Sequence, residues 1–516
     1  MTTITATPDA TTRPAKMPPQ IPYIIGNEGC ERFSFYGMRN ILTVFLMTSL
    51  LLAVPENLRK AEAKEVFHTF VIGVYFFPLL GGWLADRFFG KYPTIFWFSI
   101  VYCAGHACLA VFDDSIPGFY AGLFLISLGS GGIKPLVSAF VGDQFDKGNR
   151  SLAQKVYDAF YWIINFGSFF ASLFMPILLK QYGPRVAFGV PGLLMLVATL
   201  ILWSGRAKYM HQPARGANPH SFLKVVWTAL KDGGAGAAIA ALGVVGALYS
   251  LSQIGALSLV PAVCLALVLV MGFGGAGAAL QLDRARGAHP DEAVDGARAV
   301  LRLLVLFALV TPFWSLFDQK ASTWVLQADQ MSKPEWFQSS MMQALNPALV
   351  MILIPFNNLV LYPLLGRMGL KVTALRRMGS GIALAGVAWI FAGMLQLWLD
   401  AGQAVSIVWQ MLPYVALTLG EVLVSATGLE FAYSQAPLSM KGTITSLWNL
   451  SVTIGNLWVL LSNVSVKSPA ALEAIKSSGY SETACLMFFF AGFALVAAAL
   501  FGLVARRYPM QDHYRG

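Results

Sequence analysis

Four ionisable side chains, Glu28, Glu31, Arg32 and Arg39, lie inside an apolar stretch that runs from Tyr23 to Val54. At about 100° per residue they share one helical face with Tyr36, within an arc of roughly 140°. Each charge in a membrane span costs roughly 2.5–3.5 kcal/mol by insertion scales, so such a stripe must meet a wet cavity or opposite charges. Two carboxylates beside cations form a coupled cluster in which one added proton breaks a charge pair rather than merely neutralising a group. Lys134, after the run Gly129 to Gly132 and before Pro135, sits on a thin, bent segment that can face Glu28 and Glu31. The chemistry open to this set is proton binding tied to charge pairing. A purely structural salt-bridge network is a poor reason to keep it, because desolvation offsets the attraction.

The elements that must hold these residues are membrane helices. Of 516 residues, 56% are hydrophobic and 12% charged, against about 25% charged in soluble domains. Apolar runs of ~20 residues recur along the chain without the polar/apolar alternation of a membrane strand. The net charge of +10 is a topology signal. Counted from a cytoplasmic N-terminus, inner loops carry roughly three times as many Lys and Arg as outer ones, which puts both termini inside and argues against a nucleic-acid surface. Cys30, Cys103, Cys108, Cys264 and Cys485 show no metal or CxxC spacing.

Spans are expected near 22–52, 66–87, 91–112, 116–142, 157–180 and 185–205, then 234–252 and 257–281, then 299–327, 341–366, 372–398, 405–432, 441–465 and 481–505. That is fourteen, grouped six, two and six. The domains follow: a disordered cytoplasmic tail over 1–20, a six-helix bundle over 21–205, a linker with an inserted hairpin over 206–298, a second six-helix bundle over 299–507 and a tail over 508–516. The hairpin has no ionisable residue between Gly233 and Leu282 and basic flanks.

Two six-helix bundles suggest rocking about a site between them. Gly81-Gly82-Trp83-Leu84-Ala85-Asp86-Arg87-Phe88-Phe89-Gly90-Lys91 resembles the helix 2–3 loop of the major facilitator superfamily, with a weaker echo at Gly366 to Lys371. Its glycines allow close helix approach, and Asp86 with Arg87 at a helix end can latch the inner side.

Glu28-x-x-Glu31-Arg32, then Phe33 to Gly37 and Arg39, resembles the first-helix signature of the proton-dependent oligopeptide transporter family. Gly129 to Pro135, Gly142 to Phe145, Phe160 to Ser168, Phe313 to Gln319, Asn346-Pro347, Gly420-Glu421, Gly428 to Pro437 and Met440 to Gly442 extend the match over both bundles. The resemblance implies an all-α major facilitator fold and a symporter, not an enzyme, that imports di- and tripeptides with protons and without a cofactor. It implies proton coupling by Glu28, Glu31, Arg32, Lys134 and Asp318. It also implies an outer gate of Arg39 with Asp318 and an inner pairing of Lys134 with Glu421. Membrane lipid is the surrounding, a bacterial inner (plasma) membrane the location, and the monomer the working unit.

Arg39 and Lys134 of one bundle opposite Glu421 of the other form a dipolar site that suits a zwitterion with separated termini. Asn165 and Asn346 can hydrogen-bond amides, Tyr36 and Tyr75 offer hydroxyls, and Trp314 and Trp448 can wall side-chain pockets. Lys320, about 200° from Asp318, should face away from the cavity. Phe35 stands where the family often has a second Tyr. His68 and His106 lie in no motif and read as packed helix residues. A nitrate or other solute carrier is the same-family alternative, which Glu421 opposes, and a non-transporting peptide receptor the alternative of another class. No GxxxxGK[ST] phosphate loop supports an ATP-driven reading.

Overall fold

The computed structural model describes residues 16–509 except 146–148, 150–151, 215, 217, 370–371, 436–439 and 467. The two expected tails fall largely outside the described residues. The end of the first one is nevertheless docked, since Gln20 is buried and donates to Gln144 at 3.2 Å.

The first bundle is built from α1 (Ile21–Phe45), α2 (Glu56–Phe76), α3 (Pro78–Leu84), α4 (Lys91–Val111), α5 (Ile116–Gly142) and α6 (Ala153–Ser204). Within α6, Gly183 adopts φ 79°, a conformation that favours glycine, and Pro184 follows it. The 52-residue helix is thereby broken into two spans, at the place expected from the sequence. A short α7 (Phe222–Leu230) leads to the hairpin α8 (Ala235–Ser252), α9 (Ile254–Leu257) and α10 (Leu259–Gln281).

The second bundle contains α11 (Asp291–Asp318), α12 (Thr323–Gln330), α13 (Leu345–Phe356), α14 (Tyr362–Arg367), α15 (Ala374–Asp400), α16 (Met411–Ser434), α17 (Lys441–Ser465), α18 (Pro469–Ser478) and α19 (Glu482–Arg507). Twelve helical segments of the described residues are long and apolar enough to cross a membrane. One of them, Lys155–Ser204, holds the break at Gly183, and the charged α1 is not among the twelve.

The buried apolar residues divide into two large cores. One joins α1, α2, α4, α5 and α6, the other α11, α15, α16, α17 and α19. Close approach inside the first is set by glycine: a Cβ on Gly81 would collide with the Gly131 backbone, so α3 and α5 touch main chain to main chain. The hairpin leaves Leu242, Val245, Leu248 and Tyr249 exposed, as a lipid-facing surface requires. Its α10 buries Cys264 against Ile72 of α2 and Leu457 and Leu460 of α17.

Candidate functional site

The two bundles are tied at the end away from the chain termini, the outer end by the loop-charge reading. Arg39 Nη2 of α1 pairs with Asp318 Oδ1 of α11 at 2.7 Å, and both side chains are buried. Asn456 Nδ2 of α17 donates to the second Asp318 oxygen at 2.8 Å. Its own carbonyl oxygen accepts from His68 Nδ1 at 2.6 Å, which puts a proton on that nitrogen, and His68 Nε2 lies 3.0 Å from Ser322 Oγ. The Phe67 ring lies under Arg39 at 5.3 Å. Thr43 donates to the Ala321 carbonyl at 2.8 Å and Gln343 to the Asn40 carbonyl at 3.0 Å, closing the same end. The expected Arg39–Asp318 contact is present. Asn456 and His68 complete it, though the sequence reading passed over the first and set the second aside.

Two and three turns earlier on α1, Arg32 Nε lies 2.5 Å from Glu28 Oε1 and 3.1 Å from Glu31 Oε2. Nε carries a single hydrogen, and it is given to Glu28. Glu28 and Glu31 are fully buried, and neither Glu31 oxygen has a hydrogen-bond partner. Lys134 does not complete an ion pair with them. Its Nζ sits 3.7 Å from the Phe35 ring centre and 4.8 Å from that of Tyr75, and no carboxylate among the described residues is within ion-pairing distance. Phe35 and Tyr75 hold the amine against their aromatic faces.

In the second bundle, Glu421 Oε2 of α16 accepts from Asn346 Nδ2 of α13 at 2.6 Å, and the same amide reaches Thr418 at 3.0 Å. Lys320 Nζ donates to Asn346 Oδ1 at 3.0 Å and rests over Phe317. Lys320 therefore belongs to the Glu421 group instead of facing away. The cause is local: the chain tightens into a 3₁₀ turn over Gln319–Ala321, which alters the angle a continuous α-helix would give. Lys134 and Glu421, expected as an inner pair, are not joined.

Between the halves, the Tyr36 hydroxyl has Arg32, Arg39 and Glu31 as electrostatic neighbours from its own helix and Glu421 from the opposite bundle. Tyr75 feels Asp318, Arg39 and Arg32. Tyr161, within the Phe160 to Ser168 stretch, lies in the field of Glu421 and beside Asn165. Asn165 itself donates to the Tyr161 carbonyl at 3.0 Å. Trp314 and Trp448 are both buried and meet edge to face at 5.8 Å, with Phe307 5.3 Å from Trp448, so they form one aromatic wall.

At the other end, Asp86 and Arg87 lie exposed in the π-turn Ala85–Phe89, with no ion pair among the described residues. The pairing in that region is Lys91 with Asp143 at 2.6 Å, inside the first bundle.

Two separately cored helix bundles, tied at one end by a buried ion pair and presenting facing charges between them, are the architecture of the major facilitator fold. The model of the POT family matches residues 92–477, and the chain belongs to that family. Among solved structures it resembles the POT family transporter PepTSo, at 67% identity over 97% of this chain and 100% of that one, with a TM-score of 0.95. An auto-inhibited POT family peptide transporter is 62% identical over 97% and 99%, with a TM-score of 0.94. Peptide transporter 3 of Caenorhabditis elegans is 32% identical over 74% of this chain and 51% of its own length. Solute carrier family 15 member 2 of Rattus norvegicus is 32% identical over 73% and 49%. The chain thus spans about half the length of these curated relatives.

Proposed function

We propose that the chain imports di- and tripeptides together with protons by alternating access, with peptide held between the bundles. The observation that carries the reading is the Arg39–Asp318 pair, buried and shared between bundles, because a proton on Asp318 weakens the tie that keeps one end shut. Glu28, Glu31 and Arg32 form the coupling cluster behind it, and His68 with Asn456 extends the gate. Lys134, Arg39 and Tyr36 receive the peptide carboxylate and backbone, while Glu421, set by Asn346 beside Lys320, receives the amino terminus. Tyr75, Asn165, Trp314 and Trp448 line the rest. On opening toward the termini the Asp86–Arg87 loop and the Lys134–Glu421 pairing exchange contacts.

Fourteen spans, cytoplasmic termini, residence in a bacterial inner membrane and a monomeric working unit complete the proposal. A proton crossing ~100 mV gains roughly 2.3 kcal/mol and one pH unit adds about 1.36 kcal/mol, enough for several-hundredfold accumulation per proton. The test is labelled dipeptide uptake into liposomes holding the purified chain, with and without an inward proton gradient. Accumulation above the outside concentration only with the gradient supports the reading, and uptake indifferent to the gradient across a small peptide panel contradicts it.

A further inference from the structure

The first bundle keeps a second group beside Glu31, on the neighbouring helix α4. Tyr102 of α4 is fully buried, its hydroxyl stands next to the Glu31 carboxylate, and no hydrogen-bond partner claims it elsewhere. Both Glu31 oxygens are equally unclaimed, because the single Arg32 Nε hydrogen goes to Glu28. Tyr102 is held in place from the next turn. Its ring stacks on His106 at 5.1 Å and 27°. His106 Nε2 lies 3.0 Å from Ser34 Oγ, which itself donates to the Pro191 carbonyl at 2.7 Å, so Nε2 is the donor and the imidazole is fixed.

We infer that Tyr102 is a positioning residue for the proton on Glu31, donating its hydroxyl hydrogen to the ionised carboxylate and accepting the O–H of the protonated acid. A phenol can do both, which neither Arg32 nor Lys134 can, since they only donate. The asymmetry separates the two glutamates. Glu28 is fastened to Arg32 in one charge state, whereas Glu31 has a partner that serves either. The charged and titratable groups around the pair are Glu28 and Arg32 of α1, Lys134 of α5, and Cys103 and His106 of α4. The inference rests on the proton-coupled reading above for its role in transport, but its geometry can be tested without transport.

The experiment is infrared titration of the purified full chain, with the protonated Glu31 band identified by its loss in Glu31→Gln. In Tyr102→Phe the ionised acid loses a charge-assisted hydrogen bond and the neutral acid a weaker one, so the band's midpoint moves up by about one pH unit. Gradient-driven uptake follows it to higher pH. An unmoved Glu31 titration in Tyr102→Phe overturns the inference, as does the absence of any Glu31-dependent band. Should Tyr102→Phe not fold, the wild-type band decides alone: a frequency lowered by hydrogen bonding supports the pair, and the frequency of a free carboxylic acid contradicts it. A wild type with the expected band shift but no gradient-driven uptake leaves the pair intact and removes the transport reading.

Discussion

Glu31 and Glu421 are carboxylates on opposite bundles, yet they are built for different work. Glu421 receives an amide hydrogen at 2.6 Å from Asn346, whose carbonyl is in turn held by Lys320. Glu31 is fully buried, has the charge of Arg32 beside it without a hydrogen bond from it, and has Tyr102 as the partner inferred above. An amide nitrogen can only donate to a carboxylate, whereas a phenol can donate to the charged form or accept from the neutral one. The second bundle thus holds its carboxylate by a one-way donor, and the first sets its own beside a group that can work both ways. The Arg39–Asp318 pair connects the two.

The largest effect should come from cutting that connection. Asp318→Asn leaves Arg39 buried without its counter-charge, and gradient-driven uptake should fall by roughly 100-fold or more. A loss smaller than about threefold in the liposome assay would remove the pair from the mechanism. The two glutamates should then separate by the kind of damage. Glu31→Gln should flatten the pH profile of uptake and lower gradient-driven rates by about tenfold or more, since one titrating group is gone. Glu421→Gln should instead raise the half-saturating peptide concentration with the profile's shape kept; identical phenotypes would dissolve the contrast.

Asn346→Ala withdraws the donor from Glu421 and the acceptor from Lys320. A loss of about 1–3 kcal/mol translates to peptide affinity weaker by roughly 5- to 150-fold, readable by binding calorimetry. Affinity unchanged in that variant would mean that Glu421 does not contact the peptide through this arrangement.

The fold and the buried charged stripe of α1 were legible in the chain because membrane spans announce themselves by length, and charges inside them have few innocent explanations. The boundary between the spans ending at 180 and starting at 185 was legible from length, whereas the Gly183–Pro184 turn that makes it emerges from the backbone. Lys320 was misplaced because the α-helical angle was carried through a 3₁₀ turn that only tertiary packing sets. Asn456 and His68 were missed because an Asn in a polar-sprinkled helix and a lone His acquire meaning from partners on other helices, 138 and 388 positions away in pairing. Lys134 had the right helix and the wrong neighbour, since the aromatic Phe35 competes for it at short range.

The smallest expected effect lies outside the membrane, where the linker packs on the second bundle. His289 Nδ1 sits 2.9 Å from His220 Nδ1 and its Nε2 3.0 Å from Thr228 of α7. Partial burial, with His220, Lys224 and Lys231 nearby, holds His289 below the usual histidine range. A histidine whose folded value is lowered contributes stability above its unfolded value of about 6.5 and loses it as pH falls below that point. Hydrogen exchange in Phe222–Leu230, corrected for the intrinsic rate, should therefore quicken modestly from pH 7.5 to about 5.5. His289→Asn should remove the difference, and an exchange rate that does not depend on pH would exclude this contact as a pH-sensitive joint.

The central claim is that peptide and proton cross together through the facing charges of the two bundles. Its most direct measurement is acidification of a pH-sensitive dye sealed inside liposomes that carry the chain, on addition of dipeptide outside. Acidification that requires the peptide and disappears in Asp318→Asn is the predicted result. Peptide entry with no acidification, or acidification that ignores the peptide, would contradict it.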